Sequence, residues 1–330
     1  AVDGTGQVPP FGSARAVWTL VPTTDAAPAG PTVYYVGGTL QYRDGGVVVS
    51  TAMTPAPITV YPQPELELSY YHQRDVLGDD PWTDDVVEPS VPYELAVMVR
   101  NRGAGAARNL RLESAQPAII DNEKGLLIGF QILATEVAGE ALQPGLTADF
   151  GEVAPGDIEI GRWWMTSTMQ GLFVEYSATF RHLDPWNDDR LSIIKSVAIH
   201  ELIHTVRADG ALDDGKTDFL VNAVKDNLDL PDELHLSDGT VLPVGLADGI
   251  SHDGPVTAGD RVVTLEAAMG PGWTYLRTDD PGGAEYRLVR VQRHYPGGAT
   301  SDLPMENAWQ TDRTFLGLGL RPRLENRLHL

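Results

Sequence analysis

Between Pro92 and Leu112 the chain reads PYELAVMVRNRGAGAARNLRL. Tyr93, Leu95, Val97 and Val99 alternate with Glu94, Ala96, Met98 and Arg100, the period of two that lets one face of a strand be buried. Asn101 to Gly105 follows with residues that tolerate positive φ, as a tight reversal requires, and Leu110 and Leu112 restart the alternation. The pattern predicts the inner hairpin of a β-sandwich, with Leu95, Val97, Val99 and Leu110 in its core. Similar runs occur upstream at 16–21, 32–36, 39–42, 47–49 and 58–61, with a hairpin signal at Asp44-Gly45-Gly46. Downstream they recur at 126–133, 158–165 and 173–180, then at 234–236, 241–244, 261–265, 273–276 and 286–291. One segment departs from the pattern. Over 217–228, Leu220, Val224 and Leu228 fall on one stripe and predict a short helix.

Punctuation divides the chain. Pro55, Pro57, Pro62 and Pro64 make a stiff connector, because proline fixes φ and donates nothing to a ladder. Asp184 to Asp189 is a polar linker. Three units are expected: a β-rich segment or small module over 1–62, a sandwich over 63–183 and a β-rich module over 184–330.

The hairpin VRNRGAGAARNLRL, followed at a distance by VAPGDIEIGRWWM, resembles bacterial cell-adhesion-related CARDB domains. In that family an N-x-G turn follows the second strand and a P-G turn precedes a late one. Here they fall at Asn101 to Ala106 and Val153 to Gly156, and the likeness spans about a third of the chain. This copy departs by a long insert at 76–91 before the second strand. The resemblance implies immunoglobulin-like sandwiches in tandem within a large exported protein. It also implies an extracellular spacer or adhesion role, and it carries no catalytic residues. The fold class expected is therefore all-β, immunoglobulin-like β-sandwich modules with little helix.

Charge narrows the partners. A formal net charge of −22 repels phosphate backbones and anionic lipid, so neither nucleic acid nor membrane insertion is expected. With no cysteine there is no disulfide, thiolate metal site or cysteine nucleophile. Gly and Pro, 34 and 24 in number, suit many short strands joined by turns. The first residues, Ala1-Val2-Asp3, and the last alternation, Leu328-His329-Leu330, read as a processed protein or a piece of a longer one. The expected location is extracellular or at the cell surface. The expected partners are neighbouring modules or copies of the chain itself, with glycans or cell-surface proteins as further candidates.

One motif argues for catalysis. His200-Glu201-Leu202-Ile203-His204 is an HExxH sequence, which on a helix brings two imidazoles to one Zn²⁺ with the glutamate as general base. A zinc-dependent hydrolase, a peptidase, is the alternative it implies, with His200 and His204 as ligands and Glu201 as the base. Candidate third ligands are Asp218, Asp226, Glu233 and His235. Against a helix, seven of the fifteen residues 192–206 are β-branched. On a strand the same spacing separates the imidazoles by about 13 Å, too far for one ion. The strand reading prevails, and it places Glu201 on the face opposite both histidines. No cofactor is expected under it, and Zn²⁺ enters only with the alternative.

Two lesser candidates remain. Acidic loops at 79–85, 184–189 and 213–218 offer oxygen ligands for Ca²⁺, although solvated turns explain them as well. Trp82, Trp163 and Trp164 suggest a carbohydrate-binding module, because aromatic faces suit apolar sugar faces. Adjacent tryptophans on a strand point opposite ways, so one of Trp163 and Trp164 belongs to the core.

Overall fold

Alternation along the chain builds one long sheet. The computed structural model describes residues 5–73, 75–80, 87–113, 128–172, 191–224, 230–259, 261–316 and 322–330. About 50% of it is strand and 4% helical, the latter as short 3-10 turns such as Thr24–Ala26, so the fold is all-β and of sandwich type. Ten strands hydrogen-bond in the order Glu140–Leu142, Phe130–Val137, Ile158–Ser167, Tyr93–Asn101, Leu66–Gln73, Ile194–Val206, Asp218–Asn222, Glu233–His235, Val241–Leu246 and Trp273–Tyr275. Two of these pairings are parallel, Leu66–Gln73 with Ile194–Val206 and Val241–Leu246 with Trp273–Tyr275. The sheet is thus continuous from residue 66 to residue 275 across the expected linker, whose own residues lie outside those described.

Both faces of its centre are covered. On one face Leu66, Leu68, Tyr70, Leu95, Val97, Val99, Trp163 and Met165 pack against a second, two-stranded sheet. That sheet pairs Ala107–Glu113 with Thr147–Val153 and contributes Ala107, Leu112, Ala148, Phe150 and Val153. Each fully buried side chain of this size contributes about 1.5–3 kcal/mol, so this layer dominates stability. Gly161 leaves room for it, since a Cβ there would stand 2.6 Å from the Phe150 ring. On the other face lie Tyr71, Ala96, Met98, Ile160, Leu202, Phe219 and Val221. Burial on both sides explains why Tyr93–Asn101 carries apolar residues at Ala96 and Met98 as well.

Leu95, Val97 and Val99 are core residues as expected, and Leu110 packs half-buried against the same core. The connection between them differs from expectation. Tyr93–Asn101 pairs with Leu66–Gln73 and Ile158–Ser167, whereas Ala107–Glu113 pairs with Thr147–Val153 in the other layer. The segment after Asn101 is therefore a crossover between layers and not a hairpin turn. Asn101 holds it: its Nδ2 donates to the Gly105 carbonyl (2.8 Å) and the Val153 carbonyl (3.0 Å). Its Oδ1 accepts from the Gly103 and Glu65 amides at 3.0 and 3.2 Å. A Cβ at Gly103 or Gly105 would collide with the backbone of Glu65 or Pro62, so glycine is needed for close approach to the incoming strand.

Further corrections follow from pairing. The expected helix at 217–228 begins instead as the strand Asp218–Asn222, because Phe219 and Val221 enter the core facing Tyr71 while Leu220 faces the other way. Residues 225–229 lie outside those described, as do 126–127 and 173–180. The runs 16–21 and 286–291 join no ladder, and of 261–265 only Leu265 enters a strand. Beyond the main sheet, Arg277–Asp279, Pro322–His329 and Trp309–Leu316 form a three-stranded sheet, locked to the sheet edge by reciprocal bonds between Leu276 and Leu330.

Residues 32–60 are built differently. Thr32–Val36 pairs with Ala56–Val60, and between them Thr39–Asp44 pairs with Val47–Ala52 across a turn in which Gly45 and Gly46 take φ of 56° and 88°. No residue of these four strands is buried.

Candidate functional site

The HELIH residues lie on the strand Ile194–Val206, parallel to Leu66–Gln73 and antiparallel to Asp218–Asn222. A β-bulge interrupts the second pairing: Leu202 faces Val221, but His204 faces Leu220. Ile203 is the extra residue, and an extra residue reverses the facing of every side chain after it. His200 lies on the same side as Tyr71 and Phe219, whereas His204 lies on the opposite side with Leu220. Thr205 shows the reversal independently, since its hydroxyl donates to Glu94 on the Phe219 side at 3.0 Å. The expectation for Glu201 therefore needs correction. Glu201 opposes His200 but shares a side with His204, and its Oε1 accepts from the Asn222 amide at 3.2 Å. Two imidazoles on opposite faces of one sheet cannot take the same ion.

His200 belongs to a packed aromatic cluster. Its ring stacks on Tyr71 at 5.1 Å between centroids, and Tyr71 stacks on Phe219 at 4.0 Å. The His235 ring meets His200 edge-on at 4.7 Å. Tyr71 Oη and His235 Nδ1 are 3.1 Å apart, and His235 Nε2 lies 2.8 Å from Glu233 Oε2. Burial raises the Tyr71 hydroxyl well above its ordinary value, so it stays protonated. Burial, then the neighbouring His235, lowers His200 to about 4, so it is neutral at pH 7.

Two of the four candidate third ligands, Glu233 and His235, do gather at His200. Both His235 nitrogens are already engaged, and His204 is on the far side. Asp218 is buried and accepts from the amides of Ala208 (2.6 Å) and Ser237 (2.8 Å), a structural task. Asp226 lies outside the described residues. Among the described residues no group of three or more His, Cys, Asp or Glu is arranged to hold a metal ion.

His204 faces a cavity of about 240 Å³ between the main sheet and the C-terminal three-stranded sheet. Its ring stacks on Trp309 at 4.0 Å, and Trp309 is parallel to His329 at 4.9 Å, their strands setting the two side by side. His329 is clamped, with Nδ1 2.6 Å from the Tyr275 hydroxyl and Nε2 2.7 Å from the Thr311 hydroxyl. Burial alone lowers His204 to about 4. Gln73, Tyr93, Leu202 and Gln310 complete the polar and apolar walls.

Between the two clusters Glu94 is buried beside Arg162, with Nη1 to Oε1 at 3.5 Å. Burial outweighs this guanidinium and the Thr205 hydroxyl, and raises Glu94 to about 7. Arg162 makes its shorter bond to Glu136, at 2.6 Å.

The lesser candidates resolve into structure where they are described. Asp213 pairs with Arg207 at 2.9 Å and holds the Gly215 amide, while Asp214 accepts from the Lys216 amide and the Ser237 hydroxyl. Asp79 and Asp80 exchange bonds with Glu88, and 81–86 and 184–189 lie outside the described residues, Trp82 with them. Trp163 is fully buried, and Trp164 lies beneath the Arg162 guanidinium at 4.7 Å. The aromatics that do line a cavity, Tyr275, Trp309 and His329, carry no local signal. They are single residues in separate short runs, and only cross-strand pairing unites them. No protein-family model, curated protein or solved structure matches the chain.

Proposed function

We propose that the chain is a non-catalytic structural module of an exported bacterial assembly, joined to neighbouring modules or to copies of itself through residues 16–61. The observation that carries this reading is the exposure of the N-terminal strands. Tyr35, Leu40, Val47, Val48, Met53 and Tyr61 are each more than half exposed. Large apolar side chains exposed in this density on two neighbouring ribbons are the kind of surface that a partner covers.

Charge points the same way. Residues 1–62 hold Arg15 and Arg43 against Asp3, Asp25 and Asp44, a net −1 out of −22 for the chain. Two bodies repel each other, and the arm is the part free of that repulsion. Among the described residues the strands of both ribbons also leave outer backbone edges without a partner strand, and such edges accept a further strand. The location proposed is extracellular or at the cell surface. Light scattering on the full chain tests the reading: mass should rise with concentration, and Tyr35→Asp with Val47→Asp should abolish the rise. A wild-type chain that stays monomeric at high concentration would contradict it.

A further inference from the structure

We infer that the cavity beside His204 is a binding site for one neutral pyranose residue, free or at the end of a glycan. The inference is independent of the assembly reading, because none of the lining residues belongs to residues 16–61.

Three observations lead to it. The first is the unused capacity of His204. It is half-buried at the cavity wall, and its ring makes a stacking contact but no hydrogen bond among the described residues. Kept neutral by burial, it presents one N–H donor and one nitrogen acceptor at the cavity wall. That pair of functions matches a hydroxyl group, which both donates and accepts.

The second is a prebuilt aromatic wall. Tyr275–His329–Thr311 is a continuous hydrogen-bonded chain, and it fixes His329, which lies parallel to Trp309. Such a wall needs no ordering when a ligand arrives. His204 at 4.0 Å and His329 at 4.9 Å take the two faces of Trp309, so the weakly positive C–H groups of a sugar ring would pack on the outer imidazole faces of this three-ring stack.

The third is what the lining lacks. Among the described residues no Asp, Glu, Lys or Arg borders the cavity, so these residues offer an ionic ligand no counter-charge. The protein's overall charge repels anions further. The volume, about 240 Å³, falls below the ~300–1,000 Å³ of clefts for drug-sized ligands and suits a single six-membered ring.

The test is a titration of the full chain with the methyl glycosides of glucose, galactose, mannose and N-acetylglucosamine, and with their oligosaccharides. Calorimetry reads affinity, and nitrogen chemical shifts of the His204 imidazole read the contact. At least one neutral glycoside should bind in the millimolar range and shift the His204 nitrogens. His204→Phe, which keeps a flat ring but removes both nitrogens, should weaken binding at least tenfold, while the glucuronate glycoside does not bind. Equal affinity for monosaccharide and oligosaccharide identifies a single sugar as the ligand. Tighter oligosaccharide binding, still lost in His204→Phe, identifies a glycan end. Absence of binding by every glycoside, or binding that leaves the His204 nitrogens unmoved, overturns the proposal. Tyr35→Asp should bind sugar as the wild type does, so loss of assembly and loss of sugar binding are separable.

Discussion

The N-terminal arm and the central sandwich are both written in apolar, strand-forming runs and end in opposite physical states. Val33 and Tyr35 on Thr32–Val36 alternate as Val97 and Val99 do on Tyr93–Asn101, yet the first pair is exposed and the second is wholly buried. The difference lies in what stands opposite. Tyr93–Asn101 has strands on both sides, a second sheet on one face and a buried cluster on the other, whereas Thr32–Val36 has, among the described residues, one partner strand and no covering layer. Alternation thus specifies a strand that is able to bury a face. Whether it does so depends on a second layer, and among the described residues none packs on the strands of the arm.

Mutations at the two places sharpen this contrast. Trp163→Ala should destabilise the sandwich by about 3–5 kcal/mol, the usual cost of deleting a large buried ring. Tyr35→Ser should change the unfolding free energy of the isolated chain by no more than about 0.5 kcal/mol. Urea unfolding of both variants at low protein concentration checks this, and equal losses would erase the distinction.

The next effect in size depends on pH. His200 and His204 have folded values near 4 against an ordinary 6.5, so the unfolded chain binds more protons between those limits. Their contribution is present above about pH 6.5 and lost as pH falls toward 4, up to about 3 kcal/mol each at about 1.4 kcal/mol per unit. Glu94 acts with the opposite sign. Its folded value near 7 exceeds the ordinary 4.5, so its contribution is present below 4.5 and lost as pH rises through 7. Replacing either histidine by Gln should flatten the acid-side loss of stability, and Glu94→Gln should flatten the loss toward neutrality. Unfolding midpoints measured from pH 4 to pH 8 decide between these signs.

Asn101→Leu removes both the acceptor of two backbone amides and the donor to two carbonyls at the crossover, and should destabilise by about 2–3 kcal/mol. At the bottom of the scale is Glu201→Gln. An amide oxygen still accepts from Asn222, so stability should change by less than about 0.5 kcal/mol.

The strands of the sandwich were legible because their alternation matched their burial, and the β-branched density of 192–206 marked a strand despite its HELIH motif. The reversal of His204 was not legible. A bulge depends on how many residues the partner strand supplies, and nothing local to Ile203 announces it. Nor did the turn at Asn101 disclose that it changes layers, since the same Asn and Gly residues suit a hairpin. The cavity was hidden for a related reason: Tyr93, His204, Tyr275, Trp309 and His329 are distant in sequence and meet only through pairing across sheets. Residue types foretold elements, and pairing determined sites.

The central claim is that the exposed arm is one half of an interface. Sedimentation of the full chain across a hundredfold range of concentration tests it most directly, beside the Tyr35→Asp, Val47→Asp variant. The wild type should shift from monomer to larger species as concentration rises, while the variant remains monomeric with an unchanged unfolding midpoint. A wild type and variant that sediment alike as monomers throughout would contradict the claim.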